Sequence, residues 1–153
     1  MHQRILMVCL GNICRSPLAE GILTSKAKNL NIQVDSAGTI SFHAGKLPDS
    51  RSIAIAKKYG IDITNQRSRK FIPEDFEKFD RIYVMDSSNY SDVIQQAKNQ
   101  THIGKVEMIL NLVFPGENVD VPDPYYGGEN GFEQVYKMLD EACDKIIENI
   151  TTS

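Results

Sequence analysis

The feature that most constrains this chain is the stretch Cys9-Leu10-Gly11-Asn12-Ile13-Cys14-Arg15-Ser16-Pro17. It follows the apolar run Ile5-Leu6-Met7-Val8, which is typical of a buried central strand. Ser16 is a residue type that caps helix N-termini, and Pro17 suits the first helical position, where an N–H would have no partner. The pattern therefore predicts a strand, a tight loop and a helix in direct succession.

The same loop has the composition of an anion site with a nucleophile. Successive backbone N–H groups before a helix can converge on one anion, aided by the helix dipole. A cysteine there, close to an arginine, is expected to be a thiolate at neutral pH and therefore nucleophilic. A lone cysteine is more often a buried, inert residue. The spacing of Cys9 and Arg15 at a strand-to-helix junction favours the catalytic interpretation.

Composition sets broad limits on the rest of the chain. Its 153 residues predict one domain, residues 1–153, and a net charge of −3 makes nucleic acid an unexpected partner. No apolar run reaches the length of a membrane span, so no membrane association is expected. The N-terminus leads straight into a strand, and three cysteines form no disulfide framework, which predicts a cytoplasmic protein. The histidines lack metal-ligand spacing, and we expect neither a metal nor a cofactor.

Strand-like and helix-like segments alternate along the chain, which predicts a parallel sheet with helices on both faces. Ligands of such sheets bind beyond the carboxyl ends of the strands. Cys9 comes at the end of the first strand, so this architecture places the loop at the ligand-binding edge. The strands are predicted at residues 5–8, 32–35, 81–85 and 106–110, and the last helix runs from Phe132 onward.

The loop resembles the phosphate-binding loop of the low-molecular-weight protein tyrosine phosphatases. The resemblance extends over almost the whole chain, through Asp35-Ser36-Ala37-Gly38-Thr39 and Met85-Asp86-Ser87-Ser88-Asn89 to Asp123-Pro124-Tyr125-Tyr126. It implies an α/β fold with a four-stranded parallel doubly wound sheet and the phosphatase loop after strand one. It also implies hydrolysis of phosphotyrosine through a cysteinyl-phosphate intermediate.

Three residues are predicted to carry the reaction. Cys9 is the nucleophile, and Arg15 can hold two phosphoryl oxygens at once, which a lysine cannot do. Asp123 is our choice for the proton donor: the resemblance implies that it protonates the leaving oxygen and then activates water. An Asp before Pro can also serve only to form a turn. The predicted phosphate-binding residues are Leu10, Gly11, Asn12, Ile13, Cys14 and Arg15.

Other polar residues are predicted to support this site. The resemblance implies that Ser16 donates a hydrogen bond to the Cys9 sulfur and that Ser36 braces Asn12. Asn12 is a residue type that tolerates a left-handed turn. Asp86 follows the third strand, and its sequence position fits a helix cap and a member of the site's polar network equally well.

The substrate slot is predicted to be apolar. The phosphotyrosine ring is expected to lie between Leu10, Ile13, Phe42, Tyr125 and Tyr126. Related bacterial protein-arginine phosphatases have a threonine at the position that matches Ile13, so an isoleucine favours tyrosine. Phe42 departs from the tryptophan common in relatives, which would widen the slot.

Two further positions leave alternatives open. Cys14 can form a protective disulfide with Cys9 under peroxide, or it can be a small packing residue. Gln66 stands where many relatives have a histidine that supports the loop; glutamine can still form a hydrogen bond, so we expect activity to survive.

The expected partners are phosphotyrosine proteins, among them tyrosine kinases, with inorganic phosphate and other oxyanions as inhibitors. An arsenate reductase on the same scaffold would need further cysteines, and residues 80–92 contain none. A phosphotyrosine-binding module without activity would lack the nucleophile or the acid, and this chain has both.

Overall fold

The strands form one parallel sheet whose first strand leads into the loop. The computed structural model describes residues 2–126 and 128–152, with the backbone alone for Tyr126 and Glu129. The sheet order is β2-β1-β3-β4, all parallel, which confirms the predicted four-stranded α/β fold. The strands are β1 (Gln3–Cys9), β2 (Ile32–Gly38), β3 (Arg81–Val84) and β4 (Val106–Met108).

Helices cover both faces of this sheet, and one of them was not predicted. The helix after β3 ends at Ile94, and a second, short helix begins at Gln100, where the Asn99 side chain accepts the His102 N–H and caps it. No helix in the described part of the chain is long and apolar enough to cross a membrane. The helices are α1 (Arg15–Lys26), α2 (Ser50–Lys58), α3 (Asp75–Lys78), α4 (Ser87–Ile94), α5 (Gln100–Gly104) and α6 (Gly131–Thr151).

Alternate residues of β1 face two different cores, as the strand period of two requires. Ile5 and Met7 belong to a core with residues of α1 and α6, whereas Leu6 and Val8 face a second core around Phe76. All four β1 side chains are fully buried. Because β1 is buried on both faces of the sheet, its position is fixed, and with it the position of Cys9 at its end.

The start of α1 differs from the prediction. Cys14, not Ser16, is the N-cap residue, it makes no side-chain capping bond, and the helix begins at Arg15. Ser16 and Pro17 are therefore the second and third helical residues. The Ser16 hydroxyl cannot serve as a cap because it lies in the buried interior, where it bonds Cys9 and Asn12.

The second strand also runs further than predicted. The predicted strand ends at residue 35, but residues 36–38 pair in parallel with residues 7–9 of β1 and extend β2 to Gly38. The extension brings Gly38 against the loop that follows Cys9.

We predict that Leu139→Ala lowers the free energy of unfolding by about 2–5 kcal/mol, because it leaves a cavity in the core between α6 and the sheet. Chemical denaturation of both proteins measures the difference. Glu141→Ala, on the exposed face of the same helix, is the control and should change it by less than about 0.5 kcal/mol. Equal effects of the two substitutions would contradict the assigned core.

Candidate active site

The candidate site lies at the carboxyl edge of the sheet, where segments distant in sequence meet. Cys9 ends β1, Gly38 ends β2, and Asp86 follows β3. The segment before Asp123 reaches the same edge, because the Val121 N–H donates to the carbonyl of Met85 at 2.8 Å.

The carbonyl groups of the loop are bonded outward, by three separate segments of the chain. This orientation leaves the backbone N–H groups to face the interior of the loop, as in an anion-binding nest. The bonds to these carbonyls are Ile40 N–H to Leu10 (3.1 Å), Ser68 Oγ to Gly11 (2.9 Å), Asp49 N–H to Ile13 (2.7 Å) and Ser52 Oγ to Cys14 (3.4 Å).

The N–H groups of the loop are available to a ligand. Asn12 has a left-handed φ of 57°, as predicted, and its N–H donates to the Cys9 sulfur at 3.3 Å. Within the described residues, the N–H groups of Leu10, Gly11, Ile13 and Cys14 have no protein acceptor. An anion above the sulfur could accept bonds from several of them, as in a preorganised oxyanion site.

The side chain of Asn12 determines the direction of the hydrogen bonds around the sulfur. The Arg69 backbone N–H donates to Asn12 Oδ1 at 3.0 Å, which identifies the other amide atom as Nδ2. Nδ2 donates to Ser16 Oγ at 2.8 Å, so the Ser16 hydroxyl hydrogen is left to donate elsewhere. Cys9 Sγ lies 3.0 Å from that oxygen, nearer than the Ala37 carbonyl at 3.5 Å. A hydroxyl donor to sulfur stabilises a thiolate.

The same network continues to the partly buried carboxyl group of Glu20. Asn12 Nδ2 also donates to Ser36 Oγ at 3.0 Å, and Ser36 Oγ donates to Glu20 Oε1 at 2.6 Å. Burial raises the pKa of Glu20 from 4.5 to about 7, although the Ser36 hydroxyl lowers it in part. Glu20, whose pKa is near neutrality, is therefore connected to Cys9 through the neutral side chains of Ser36, Asn12 and Ser16.

Arg15 is held in place by two bonds from one nitrogen. Its Nη1 donates to Asp86 Oδ2 at 2.8 Å and to the Val121 carbonyl at 2.9 Å. Nε and Nη2 have no protein partner within the described part of the chain and remain available to an anion. Asp86 has both of the functions that the sequence left open, because its Oδ1 also accepts the Asn89 N–H and caps α4.

The segment that carries Asp123 is attached to the loop on both sides of this residue. Val121 accepts the bond from Arg15, and the Tyr125 hydroxyl accepts from Cys14 Sγ at 3.4 Å. Asp123 is partly exposed, and its Oδ1 accepts the Tyr125 N–H at 3.0 Å. This bond is the turn-forming contact considered above, and it leaves the second carboxyl oxygen, Oδ2, without a bond to the described residues.

The predicted walls of the slot differ in exposure. Leu10, Phe42 and Tyr125 are 46%, 81% and 44% exposed, and Ile13 is partly buried. The Phe42 ring meets His43 edge-on at 4.8 Å, and His43 packs on Gly11, where an added Cβ would lie 3.0 Å from its ring. Phe42 is thereby brought to the rim of the loop. The side chain of Tyr126 lies outside the described residues.

Arg69 corrects one sequence interpretation. A cluster of basic residues such as Arg67, Arg69 and Lys70 is typical of a solvated edge, but the Arg69 guanidinium bonds to Asp35 and to the buried Asp75. Its backbone thereby holds Asn12. No local pattern signals this role, because the partners are far apart in sequence.

Gln66 forms the hydrogen bond that we expected of a glutamine at this position. Its Nε2 donates to the Pro17 carbonyl, in the first turn of α1, at 3.1 Å. Its Oε1 is buried and has no partner among the described residues.

Among the residues that the structure describes, no three His, Cys, Asp or Glu side chains are placed to share a metal ion.

Comparisons with known proteins cover almost the whole chain. The family model described as low molecular weight phosphotyrosine protein phosphatase matches residues 4–153. A Schizosaccharomyces pombe protein of that name is 38% identical, with 96% of each chain covered. A protein tyrosine phosphatase structure from Entamoeba histolytica is 36% identical, with a TM-score of 0.90, covering 98% of this chain and 97% of that one. An arginine phosphatase structure from Drosophila is 32% identical, with a TM-score of 0.87 and coverages of 95% and 96%.

We predict that Gly38→Ala impairs turnover by about tenfold or more. An added Cβ would lie 2.7 Å from the Leu10 carbonyl oxygen and 3.0 Å from the Asn12 nitrogen, so the loop backbone must move. Steady-state kinetics and competitive inhibition by inorganic phosphate report the change. Gly104→Ala has no atom within 4 Å of its added Cβ and should behave as the parent does. An unaffected Gly38→Ala protein would refute this packing.

We predict that Glu20→Gln changes the pH dependence of stability. Between 4.5 and about 7 the native parent retains a proton that the unfolded chain has released, so its stability falls as pH rises through this window. The variant lacks this titration and keeps an acceptor for Ser36, so its stability relative to the parent should increase by about 2 kcal/mol from pH ~4.5 to pH ~7.5. Urea denaturation across the range measures both slopes, and equal slopes would count against a Glu20 that stays protonated in the native state.

Proposed function

We propose residue roles on the premise that this chain belongs to the low molecular weight phosphotyrosine protein phosphatase family, to which its match over residues 4–153 assigns it. The family consists of protein-tyrosine phosphatases, so the chain is a phosphoric monoester hydrolase acting on phosphotyrosine. Cys9 and Arg15 occupy the positions of the family's phosphate-binding loop.

In the first step, Cys9 Sγ attacks the phosphorus and the bond to the aryl oxygen breaks. The loop N–H groups and the unshared nitrogens of Arg15 bind the non-bridging oxygens, which carry negative charge throughout. Asp123, in its acid form, donates its proton to the leaving phenolate. The products are a neutral phenol and a phosphoryl group on sulfur.

In the second step, water attacks the phosphorus and the bond to sulfur breaks. Asp123, now a carboxylate, takes a proton from that water, so the acid form is regenerated. The Ser16 hydroxyl, 3.0 Å from the sulfur, stabilises the departing thiolate. Inorganic phosphate is released and is expected to act as a competitive inhibitor, as are other oxyanions.

The observation that carries this proposal is the arrangement around the sulfur. Cys9 Sγ receives donors from Asn12 and Ser16, next to backbone N–H groups without protein acceptors. Arg15 is oriented by Asp86 without using all of its donors. This combination supplies a nucleophile and a phosphate site in one loop.

The preference for tyrosine depends on the walls of the slot. A phenyl ring can pack against Leu10, Ile13, Phe42 and Tyr125, whereas the shorter side chain of phosphoserine would not reach the loop. Fold similarity does not separate the two chemistries, because an arginine phosphatase and a tyrosine phosphatase share this architecture. The apolar Ile13 is the residue that favours the aryl ester.

Several expectations stay predictions. Residues 1–153 are proposed to act as one domain in the cytoplasm, which is supported by three unpaired cysteines. Phosphotyrosine proteins, including tyrosine kinases, are the proposed partners. Both alternatives for Cys14, a protective disulfide with Cys9 and a packing residue, stay predictions, and in this structure the Cys14 thiol bonds Tyr125.

We predict that Cys9→Ser reduces hydrolysis of p-nitrophenyl phosphate to background, with EDTA present throughout. Asp123→Ala should lower kcat/KM for phosphotyrosine by about 10²–10⁴-fold, because the leaving phenolate loses its proton donor. Release of phosphate and of the phenol measures both effects.

Two controls separate these roles from general damage. Cys143→Ala removes a buried core cysteine, and Asp120→Ala removes a carboxylate from the segment just before Asp123. Both proteins should retain activity near that of the parent. Undiminished turnover by Cys9→Ser, or loss of activity on EDTA treatment, would exclude the proposed mechanism.

A further inference from the structure

The hydroxyl of Tyr125 forms two hydrogen bonds next to the proposed acid. It lies 2.6 Å from Asp49 Oδ2 and 3.4 Å from Cys14 Sγ. Tyr125 follows Asp123 by two residues, and the ring alone would be enough for a substrate wall. The position of its hydroxyl therefore calls for a separate explanation.

The hydrogen bonds between Cys14, Tyr125 and Asp49 all run in one direction. Burial raises the pKa of Cys14 to about 11, so the thiol keeps its proton and donates it to the Tyr125 oxygen. Burial and the bond to Asp49 raise the pKa of Tyr125, so the phenol in turn donates to Asp49. The pKa of Asp49 is lowered, because donors from Arg51 and Tyr125 outweigh the effect of burial. The group is thus a one-directional chain from the loop to an ionised carboxylate.

Asp49 is independently fixed to the phosphate-binding loop. Its backbone N–H donates to the Ile13 carbonyl at 2.7 Å. Its Oδ1 accepts the Arg51 N–H at 2.8 Å and caps α2, and its Oδ2 accepts from Tyr125 at 2.6 Å and from Arg51 Nη2 at 3.3 Å. One residue therefore joins the phosphate-binding loop to the segment with the acid.

Tyr125 also contacts the proposed acid, Asp123, directly. Its own N–H donates to Asp123 Oδ1 at 3.0 Å, so a shift of Tyr125 moves the carboxyl group. The Arg51 guanidinium lies over the Tyr125 ring, 4.4 Å from its centroid, and 4.9 Å from the Phe132 centroid, which holds the ring from another side. Pro124, between Asp123 and Tyr125, is confined as well, since a Cβ on Gly131 would lie 2.4 Å from its carbonyl oxygen.

From these contacts we infer that Asp49 is a positioning residue for catalysis: through the Tyr125 hydroxyl it sets where the Asp123 carboxyl lies relative to the phosphate-binding loop. The inference rests on the proposed role of Asp123 as proton donor. Asp49 touches no reacting atom, and its contribution is geometric, because proton transfer needs the acid within hydrogen-bond reach of the leaving oxygen.

Two substitutions test this inference. Tyr125→Phe keeps the ring and its contact with Arg51 but removes the hydroxyl. Asp49→Ser removes the oxygen that accepts from Tyr125 but keeps a residue that caps α2 well, as well as the backbone N–H to Ile13. The readout is kcat/KM for two substrates with different demands for a proton. Tyrosine, with a pKa of about 10, leaves poorly as a phenolate, whereas nitrophenolate leaves readily because the nitro group delocalises its charge.

We expect both variants to lose about tenfold more kcat/KM on phosphotyrosine than on p-nitrophenyl phosphate. Inhibition by inorganic phosphate should be as strong as in the parent, since neither substitution changes the phosphate-binding loop. The double variant should lose no more selectivity than the larger single loss, because both substitutions break the same bond. Tyr59→Phe is the matched control: its hydroxyl also donates to a carboxylate, Glu133 at 2.8 Å, but it does not contact Asp49 or the acid segment.

Equal losses on both substrates, or no loss on either, would overturn the positioning role. Weaker phosphate inhibition in step with lost turnover would do the same, since it would reveal damage to the loop itself. Failure of the proposed function has a different signature: the parent would not hydrolyse either substrate, or Cys9→Ser would remain active.

Discussion

The hydrogen bonds that converge on the Cys9 sulfur are the interaction on which the rest of the site depends. A thiolate at the bottom of a cradle for anions would repel a phosphate unless donors offset its charge. Asn12 supplies its N–H and orients the Ser16 hydroxyl toward the sulfur. The left-handed backbone of Asn12 turns that N–H inward. The conformation of Asn12 therefore directs both donors, its own N–H and the Ser16 hydroxyl, toward Cys9.

The residues around this loop hold its backbone in a conformation that can bind a ligand. Its carbonyl groups are bonded outward by residues after β2, before α3 and at the start of α2, so the N–H groups are left for a phosphate. Arg15 is aimed by Asp86 after β3 and by Val121 in the segment with the acid. The parallel sheet brings these segments to one edge, which explains why residues distant in sequence can serve one small site.

How much the sequence predicts depends on how local the signal is. Cys9 and Arg15 lie in one short loop after a strand, and the alternation of strands and helices predicts the parallel sheet. Contacts between distant segments leave no such pattern. The interactions of Arg69 with Asn12 and of Asp49 with Tyr125 are visible only in the structure. The misplaced start of α1 has the same origin, because Ser16 is drawn into a buried network instead of capping the helix.

The most direct test of the central claim is to capture the phosphoryl group on Cys9. The Asp123→Ala protein, mixed with p-nitrophenyl phosphate, quenched rapidly and examined by mass spectrometry of its peptides, is suited to this measurement. Nitrophenolate needs no proton to leave, whereas the second step lacks its base, so the intermediate should accumulate. The account predicts one phosphorylated peptide, with the phosphoryl group on the sulfur of Cys9. Turnover without phosphorylated Cys9, or a phosphoryl group on a different residue, would contradict it.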